Sequence, residues 1–402
     1  MSGRPRPAAA VSTLADTRAA AEEVAERVRD QLAGAPADVA FLFLSTEHAH
    51  EAEVAAAAVA DILRPGALAG ATGEAVIGTG RELEGVPAMS LLATSLPGGR
   101  ARVHHLSVHD TGDGPAVEMP AELLPAAGQP MLLIADPYSF PADAFLEGVE
   151  GRFEGAVAVG GLASGGGGPG EHAFICGRRV MRHGAVAVTV EGDVRLRVLV
   201  SQGCAPVGPE MVITSADGNI IHELAGRPAY ERLTDIVAGL DDHGRTLVQR
   251  GLLAGLVIDE NRAEYGADDY LMRAIMGGDA DQGSLVVGDT VRVGQTFRFH
   301  ARDADSADAD LRAALRHHAG NGERPQAALL FACNGRGSNM YAEPDHDAGA
   351  VADELGPIPL AGMFCSGEIG PVGGHTFLHG FTATMALLTT RDSRARDVRE
   401  GG

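Results

Sequence analysis

Tryptophan is absent from the 402-residue chain, and only 4% of the residues are aromatic. A large aromatic cleft is therefore not expected, whereas the 54 glycines predict many tight backbone turns around small side chains. The chain also lacks an uninterrupted apolar run of the roughly 18 residues that a membrane span requires. Its first ten residues include basic side chains but no apolar core of secretory length. We therefore expect a cytoplasmic protein.

Cysteine and basic residues are also scarce. The four cysteines lie far apart without paired spacing, which favours reduced thiols over a disulfide framework. Only 32 basic residues stand against 54 acidic ones, which gives a net charge of -22. Because an acidic surface repels phosphate backbones and anionic headgroups, neither nucleic acid nor a membrane surface is an expected partner. The length allows two or three domains, each with its own core.

A strand–helix–strand pattern occurs three times along the chain. The copies lie at Val39 to Gly70, at Met131 to Val159 and at Ala327 to Gly362. Other strand-like runs between them are separated only by turns, so mixed sheets are expected rather than purely parallel ones. The predicted fold class is α/β with α+β character, in which helices flank mixed sheets.

The first and third copies share a longer motif. In the first copy Leu68-Ala-Gly70 is followed by Thr72-Gly-Glu74, and in the third Leu360-Ala-Gly362 is followed by Ser366-Gly-Glu368. The shared order of elements predicts a duplication, with two related domains packed as a pseudo-symmetric sandwich. Ligand sites favour the crevices between such domains and the ends of strands.

The turn Gly226–Pro228, which precedes a new helix, is the predicted domain boundary. The first domain is then expected to span residues 11–225 and the second residues 226–390. The segments 1–10 and 391–402 are expected to be disordered tails, the latter because it is strongly charged.

The second half contains three further motifs, Cys333-Asn-Gly-Arg-Gly337, Pro359-Leu-Ala-Gly-Met-Phe-Cys-Ser-Gly-Glu-Ile-Gly-Pro371 and Leu378-His-Gly-Phe-Thr382. In combination they resemble the carboxyl-terminal domain of the FIST family (F-box and intracellular signal transduction proteins). Three motifs of the first half resemble the amino-terminal domain of the same family: Gly70–Glu74, Val159–Gly165 and Gly203–Gly208. The likeness covers roughly residues 12 to 390, which is essentially the whole expected fold.

The resemblance implies a sensory module that binds small polar metabolites such as amino acids. Relatives carry kinase, cyclase, chemotaxis or F-box partners in the same chain, whereas this sequence leaves no room for such an output domain. A separate signalling protein is therefore the expected receiver of the signal. No cofactor is expected.

Polar residues in the carboxyl-terminal motifs are the first candidates for ligand binding. Asn334 and Arg336 are expected to bind a carboxylate, because a planar guanidinium offers two parallel hydrogen bonds. Ser366 and Glu368 are expected to bind an amine or a hydroxyl group, since glycine neighbours let a ligand approach the backbone closely.

Four more residues complete the expected ligand-binding set. His379 and Cys365 are expected to line the same pocket. Thr72 and Glu74 are expected to supply an equivalent set in the first domain, so that the two acidic loops converge on one cavity. Like Cys365, Cys333 is expected to line the pocket without reacting.

The cysteines and histidines of the second half also raise the possibility of a thiol enzyme. Arg336 follows Cys333 closely and a nearby cation lowers a thiol pKa, while His375 and His379 are candidate bases. No signature of a known cysteine hydrolase accompanies these residues, and isolated cysteines at strand ends commonly pack as small apolar side chains. No catalytic residue is therefore assigned.

The same segment contains the ligand types of a metal site. His375, His379, Cys365 and Glu368 include the side chains that zinc uses, and residues four apart share a face of a helix or strand. Zinc signatures nevertheless have tighter paired spacing, so no metal is expected. A scaffold that binds a protein partner and no small ligand stays open as the alternative function.

Overall fold

The computed structural model describes residues 4–112, 114–120, 123, 129–152, 155–266, 269–320 and 324–390. The expected tail at 391–402 lies outside the described residues. The other expected tail, 1–10, contains the start of a strand that spans Pro7–Ser12 and pairs with Met89–Thr94. The prediction of disorder therefore does not hold for residues 7–10, because their small side chains fit a sheet in which Ala8 is buried.

The first of three similar units is built around two parallel strands joined by a helix. Its elements are β1 (Pro7–Ser12), α1 (Thr17–Leu32), β2 (Val39–Ser45), α2 (Ala52–Leu63), β3 (Ala67–Gly73), β4 (Val76–Gly78), β5 (Arg81–Leu83) and β6 (Met89–Thr94). Helix α1 begins where the Asp16 side chain accepts a hydrogen bond from the backbone N–H of Ala19. Its buried face includes Val24, Val28 and Leu32, as their spacing of four residues predicts.

The second unit also contains two parallel strands joined by a helix. Its elements are β7 (Arg100–Leu106), β8 (Val108–Asp110), β9 (Pro115–Val117), β10 (Met131–Ala135), α3 (Ala142–Arg152), β11 (Ala158–Leu162), β12 (Phe174–Cys176), β13 (Arg179–Met181) and β14 (Ala185–Glu191). Strands β8 and β9 stand where the first unit has α1. Strands β10 and β11 are parallel and flank α3, as β2 and β3 flank α2.

The third unit starts with a strand and then contains an inserted barrel. Its opening elements are β15 (Val194–Ser201), β16 (Cys204–Asp217), β17 (Ile220–Leu224), β18 (Arg227–Pro228), α4 (Ala229–Gly239), α5 (Asp242–Arg250), β19 (Leu252–Val257), β20 (Tyr270–Asp279), β21 (Ser284–Val287) and β22 (Thr296–Arg302). Strands β16 to β22 form one sheet in the order β16-β22-β19-β20-β21-β17-β18, and an additional pairing of β16 with β17 closes it. This closed sheet is hereafter the inserted barrel.

After the inserted barrel the third unit resumes the common order. Its remaining elements are α6 (Ala304–Gly320), β23 (Ala327–Cys333), α7 (His346–Leu355), β24 (Leu360–Cys365), β25 (Glu368–Val372), β26 (His375–His379) and β27 (Ala383–Thr390). The parallel pair is β23 and β24, which flank α7.

The three units exchange hairpins in a cycle. Besides the inserted barrel, the main sheets have the orders β1-β6-β2-β3-β12-β13, β7-β14-β10-β11-β25-β26 and β15-β27-β23-β24-β4-β5. Each unit therefore gives the hairpin that follows its parallel pair to the sheet of another unit. Because β4 and β5 complete the third sheet while β25 and β26 complete the second, the sheets mix strands from both predicted chain segments, 11–225 and 226–390.

Three glycines mark the equivalent positions of the units. Gly70, Gly160 and Gly362 lie on the second parallel strand of each unit, and a β-carbon on any of them would lie within 2 Å of a carbonyl oxygen on the first parallel strand (1.8, 1.9 and 1.9 Å). The predicted mixture of helices and mixed sheets is confirmed. The repeat, however, has three copies rather than two, because the middle unit shares this arrangement without sharing the Gly-Glu motif.

The inner faces of the three main sheets enclose one common core. It contains Phe43, Val159 and Phe331, while the helices cover the outer faces of the sheets. Near the amino ends of the parallel strands this core leaves a cavity of about 30 Å³, lined by apolar side chains such as Leu132 and Leu329. So small and apolar a space does not suit a polar metabolite.

Membrane crossing finds no support in the helices. None of the helices in the described part of the chain combines the length and the apolar character that a bilayer span needs.

Candidate functional site

A row of polar residues lies where the strands of the third sheet end. Cys333 on β23 pairs with Cys365 on β24, and its backbone N–H donates to the carbonyl oxygen of Thr382 at 3.0 Å. Ser201 on β15 pairs with Ala383, so the continued register places Gln202 opposite Thr382. Phe331 and Met363, which lie two positions before Cys333 and Cys365, belong to the common core. The row therefore forms the polar end of that core.

Glu368 reaches this row from β25, a strand of the second sheet. Its side chain is fully buried, and its Oε2 accepts hydrogen bonds from the Thr382 N–H at 3.0 Å and hydroxyl at 2.9 Å. Burial raises the pKa of Glu368 to about 8, although the Thr382 hydrogen bonds and the charge of Arg336 act in the opposite direction. Its Oε1 has no hydrogen-bond partner among the described residues, although the Cys333 thiol lies close enough to affect its pKa.

Arg336 is also fully buried, but most of its donors are already used. Its Nε and Nη2 donate to the two carboxylate oxygens of Asp347 at 2.6 and 2.9 Å, and Nη2 also donates to the Tyr341 hydroxyl. Burial alone would raise the pKa of Asp347, but the charges of Arg336 and His346 lower it to about 2. The fork that was expected to bind a ligand carboxylate is thus bound to Asp347, which leaves Nη1 without a partner.

A second arginine, Arg302, covers the row from the end of the inserted barrel. It pairs with Cys204 across strands β16 and β22, and its guanidinium carbon lies 3.2 Å from the centre of the Phe381 ring. Its buried Nε has no hydrogen-bond partner among the described residues. Burial lowers the pKa of Arg302, yet a guanidinium stays protonated at neutral pH. We call Gln202, Arg302, Cys333, Arg336, Glu368 and Thr382 the polar cluster.

The thiols around the polar cluster are not activated. Burial raises the pKa of Cys333 to about 12, and the neighbouring Glu368 carboxyl acts in the same direction. Burial also raises the pKa of Cys204 to about 12 and that of Cys365 well above its usual range. Since the thiolate is the nucleophile, three protonated thiols give no support to a cysteine-dependent enzyme.

Two expected site residues lie beside the polar cluster. Asn334 is half-buried directly after Cys333, and its Oδ1 lacks a partner among the described residues. His379 is buried opposite Glu368 in the β25–β26 ladder, with Nε2 against the carbonyl oxygen of Gly370 at 2.9 Å. Burial lowers the pKa of His379 to about 4, so it is neutral, and its Nδ1 has no partner in the described chain.

Of the other expected residues, Glu74 and Ser366 form hydrogen bonds with Ser164 and Ala163 instead. The Ser164 hydroxyl accepts from the Glu74 N–H at 2.8 Å and donates to the Phe364 carbonyl oxygen, while the Ser366 hydroxyl donates to the Ala163 carbonyl oxygen. Thr72 is buried, and its hydroxyl oxygen accepts from the backbone of the neighbouring strand β12. The side chains of Glu74 and Ser366 are exposed, so the two Gly-Glu motifs do not place equivalent carboxylates: Glu74 faces solvent and Glu368 is buried.

The four residues weighed as metal ligands are not brought together. His375 is exposed and contacts Glu150, whereas His379 is buried against Gly370. Within the described ranges, no group of three or more histidine, cysteine or acidic side chains has the geometry to hold a metal ion.

Sequence reasoning missed three members of the polar cluster. Thr382 ends a motif that carries the family resemblance, and Gln202 directly precedes another, so their positions gave a usable signal. Arg302 lies in no motif, and only the pairing of β16 with β22 brings it next to Cys204.

Comparisons with known proteins find two family models that match this chain. The FIST N domain matches residues 38–227, and the FIST C domain matches residues 229–371. The uncharacterized protein Rv0628c of Mycobacterium tuberculosis is 42% identical over 379 residues, covering 94% of this chain and 98% of that protein. The uncharacterized protein Mb0898c of Mycobacterium bovis is 40% identical over 379 residues, which cover 94% of this chain and 97% of that protein.

A shorter similarity extends to a plant protein. The F-box/LRR-repeat protein At5g63520 of Arabidopsis thaliana is 32% identical over 98 residues, which is 23% of this chain and 18% of that protein. Matches to both domain types, and similarity to the mycobacterial proteins over nearly their whole length, establish the family. The chain belongs to the FIST family, whose domains are sensory signal-transduction domains.

Proposed function

We propose that this protein is a sensor that binds a small polar metabolite, such as an amino acid, at the polar cluster and signals through a separate protein. The supporting observation is a group of buried polar atoms that lack hydrogen-bond partners within the described residues. Several of these atoms lie in the polar cluster or next to it. They are Arg302 Nε, Asn334 Oδ1, Arg336 Nη1, Glu368 Oε1, His379 Nδ1 and the amide nitrogen and oxygen of Gln202.

Such atoms are costly to leave without partners. Each buried donor or acceptor that loses its hydrogen bond costs roughly 1–3 kcal/mol, and native proteins contain few of them. Their concentration at one strand end therefore supports a binding site in which a ligand completes the hydrogen bonds.

The free atoms include both donors and acceptors. Arg302, Arg336 and the amide nitrogen of Gln202 are donors, whereas Asn334 and the amide oxygen of Gln202 are acceptors. A ligand that carries an acceptor group and a donor group would satisfy both kinds, and an amino acid has a carboxylate and an ammonium group. Cys365 and His379 would then line the site, whereas Thr72, Glu74 and Ser366 would lie outside it.

A thermal-shift screen of the purified protein tests this proposal. Amino acids, other small carboxylates, sugars and nucleosides are added singly, and a ligand present at 100 times its Kd stabilises the folded state by about 2.7 kcal/mol. Each hit is then measured by calorimetry on Glu368→Ala and on the control Glu74→Ala, which removes an exposed carboxylate. The proposal predicts that binding weakens at least tenfold in Glu368→Ala and is unchanged in Glu74→Ala.

Two results would contradict it. If no compound raises the melting temperature, the chain is better described as a protein-binding scaffold. If hits bind Glu368→Ala as tightly as the unchanged protein, the ligand site lies elsewhere in the molecule.

A further inference from the structure

Arg302 is half-buried and has no anionic partner among the described residues, in contrast to Arg336, Arg273 and Arg298. Arg336 is bound to Asp347, Arg273 to Asp289 at 2.6 Å, and Arg298 lies 3.7 Å from Glu210. The side chain of Arg302 makes neither an ion pair nor a hydrogen bond with any described residue. Its guanidinium makes a cation–π contact with the Phe381 ring. A partly desolvated cation without a counter-ion is unfavourable.

The charges around Arg302 leave it uncompensated. Arg336 and Asp347 neutralise each other, and the thiols of Cys204 and Cys333 are protonated because burial raises their pKa values. Glu368, with its pKa raised to about 8, is mostly uncharged at pH 7. The groups named here therefore give Arg302 no counter-ion, and a ligand carboxylate would supply one.

The position of Arg302 also suits a carboxylate. The guanidinium carbon lies over the Phe381 ring and Nε has no partner, and a planar guanidinium can donate two parallel hydrogen bonds to a carboxylate. A β-carbon on Gly335 would lie 3.2 Å from Nη1 of Arg302, so the absence of a side chain at Gly335 keeps the space beside Nη1 open. Asn334, whose Oδ1 is unpartnered, immediately precedes this glycine.

We propose that Arg302, rather than Arg336, binds the carboxylate of the ligand at the seam between the inserted barrel and the third sheet. This inference rests on the proposed function, because it names the charged group of the ligand bound at the polar cluster. Arg302 then determines specificity for acids over neutral compounds.

The test compares acids with their amides. The probes are the twenty amino acids and acetate, pyruvate and lactate, each paired with its carboxamide, and binding is measured by calorimetry on the full chain. For any acid that binds, we expect Arg302→Met to weaken binding at least tenfold and its carboxamide to bind equally weakly to both proteins. Arg302→Lys, which keeps the charge and loses the fork, should give an intermediate loss.

Arg298→Met is the matched control, because Arg298 lies on the same strand and already has partners in Gly208 and Glu210. Circular dichroism and thermal unfolding show whether each variant is folded. If Arg302→Met does not fold, the comparison of acid with amide on the unchanged protein and on Arg302→Lys still decides the question.

The outcomes separate this inference from the proposed function. Equal affinity for acid and amide, or an acid that binds Arg302→Met unchanged, would overturn the role of Arg302 and leave the sensor intact. If only neutral compounds bind and Glu368→Ala abolishes their binding, the role of Arg302 is likewise overturned while the sensor stays intact. Absence of binding by every compound in both screens would overturn both.

Discussion

At the scale of single residues, Glu368 is the side chain whose surroundings fit its chemistry least. The strand registers place it at the position that Val76 and Phe174 occupy in the other two units, where an apolar side chain is buried. A carboxyl group at an apolar position costs stability unless it is protonated or bound. A residue kept at such a cost is a reasonable candidate for function.

The raised pKa of Glu368 predicts a specific pH dependence of stability. The unfolded chain loses this proton near its ordinary pKa of 4.5, whereas the folded chain keeps it up to about pH 8. The contribution of Glu368 to the free energy of unfolding is therefore complete below pH 4.5 and is lost as the pH rises towards 8. We expect the stability of the unchanged protein relative to Glu368→Gln to fall between pH 5 and pH 8.5.

Urea unfolding of both proteins at several pH values measures this difference. The change is bounded by about 1.4 kcal/mol for each unit by which the pKa is shifted. Other titrating groups, including Glu82, whose pKa burial raises to about 8, are common to both proteins and cancel in the difference. A difference that stays constant with pH would show that Glu368 is ionised in the folded protein.

At the scale of elements, the parallel strands of each unit approach one another at a glycine. Gly362 lies against the Leu330 backbone on β23, and Gly70 and Gly160 lie in the same way against Leu42 and Leu133. These contacts explain why a glycine recurs at the same place in all three units. The sequence comparison found it in two units only, because the middle unit has Val159 and Gly160 where the others have Ala-Gly.

Gly362→Ala is expected to destabilise the protein by about 3 kcal/mol, because the new methyl group would lie 1.9 Å from a backbone oxygen that is fixed in the sheet. Gly349→Ala is the control, since Gly349 lies in helix α7 of the same unit with open space around it. It should be neutral or add about 0.5–1 kcal/mol of stability. Chemical denaturation of both variants checks this, and equal stabilities would refute the assigned strand contact.

At the scale of the whole molecule, the inserted barrel is separate from the common core and joined to it beside the polar cluster. The barrel has its own apolar core, which includes Ile213, Leu256 and Phe297. The chain enters it at Cys204 and leaves it at Arg302, two residues that pair across adjacent strands. A ligand at the polar cluster would touch the end of the barrel and the third sheet together, which gives a physical route from binding to a change in barrel position.

Replacing residues 205–301 with a short glycine–serine linker should leave the three-unit core folded. Directly paired residues on antiparallel strands are about 5 Å apart, so a short linker can join Cys204 to Arg302. Circular dichroism and cooperative thermal unfolding are the measurements. An unfolded or aggregated product would show that the core depends on contacts with the barrel, such as the hydrogen bond from Arg273 to the Leu378 carbonyl at 2.8 Å.

Local sequence patterns are enough to predict the three strand–helix–strand elements and much of helix α1. Apolar spacing and the Asp16 cap are local properties, and they act before distant parts of the chain meet. The motifs also identify Glu368, Asn334 and His379 as residues near one strand end. Local patterns do not reveal which arginine is free, because Arg336 and Asp347 pair only after α7 has packed beside β23.

The sequence by itself thus determined the repeating elements, the family and the neighbourhood of a polar strand end, since each is written in residues close together in the chain. Only the tertiary structure decided that hairpins pass cyclically between three units, that Glu368 is buried while Glu74 is exposed, and that Arg302 lies beside Cys204 without a counter-ion. These features depend on pairings between strands that are tens to hundreds of residues apart. Burial and charge compensation are properties of such pairings, so they arise only when the sheets have closed around the common core.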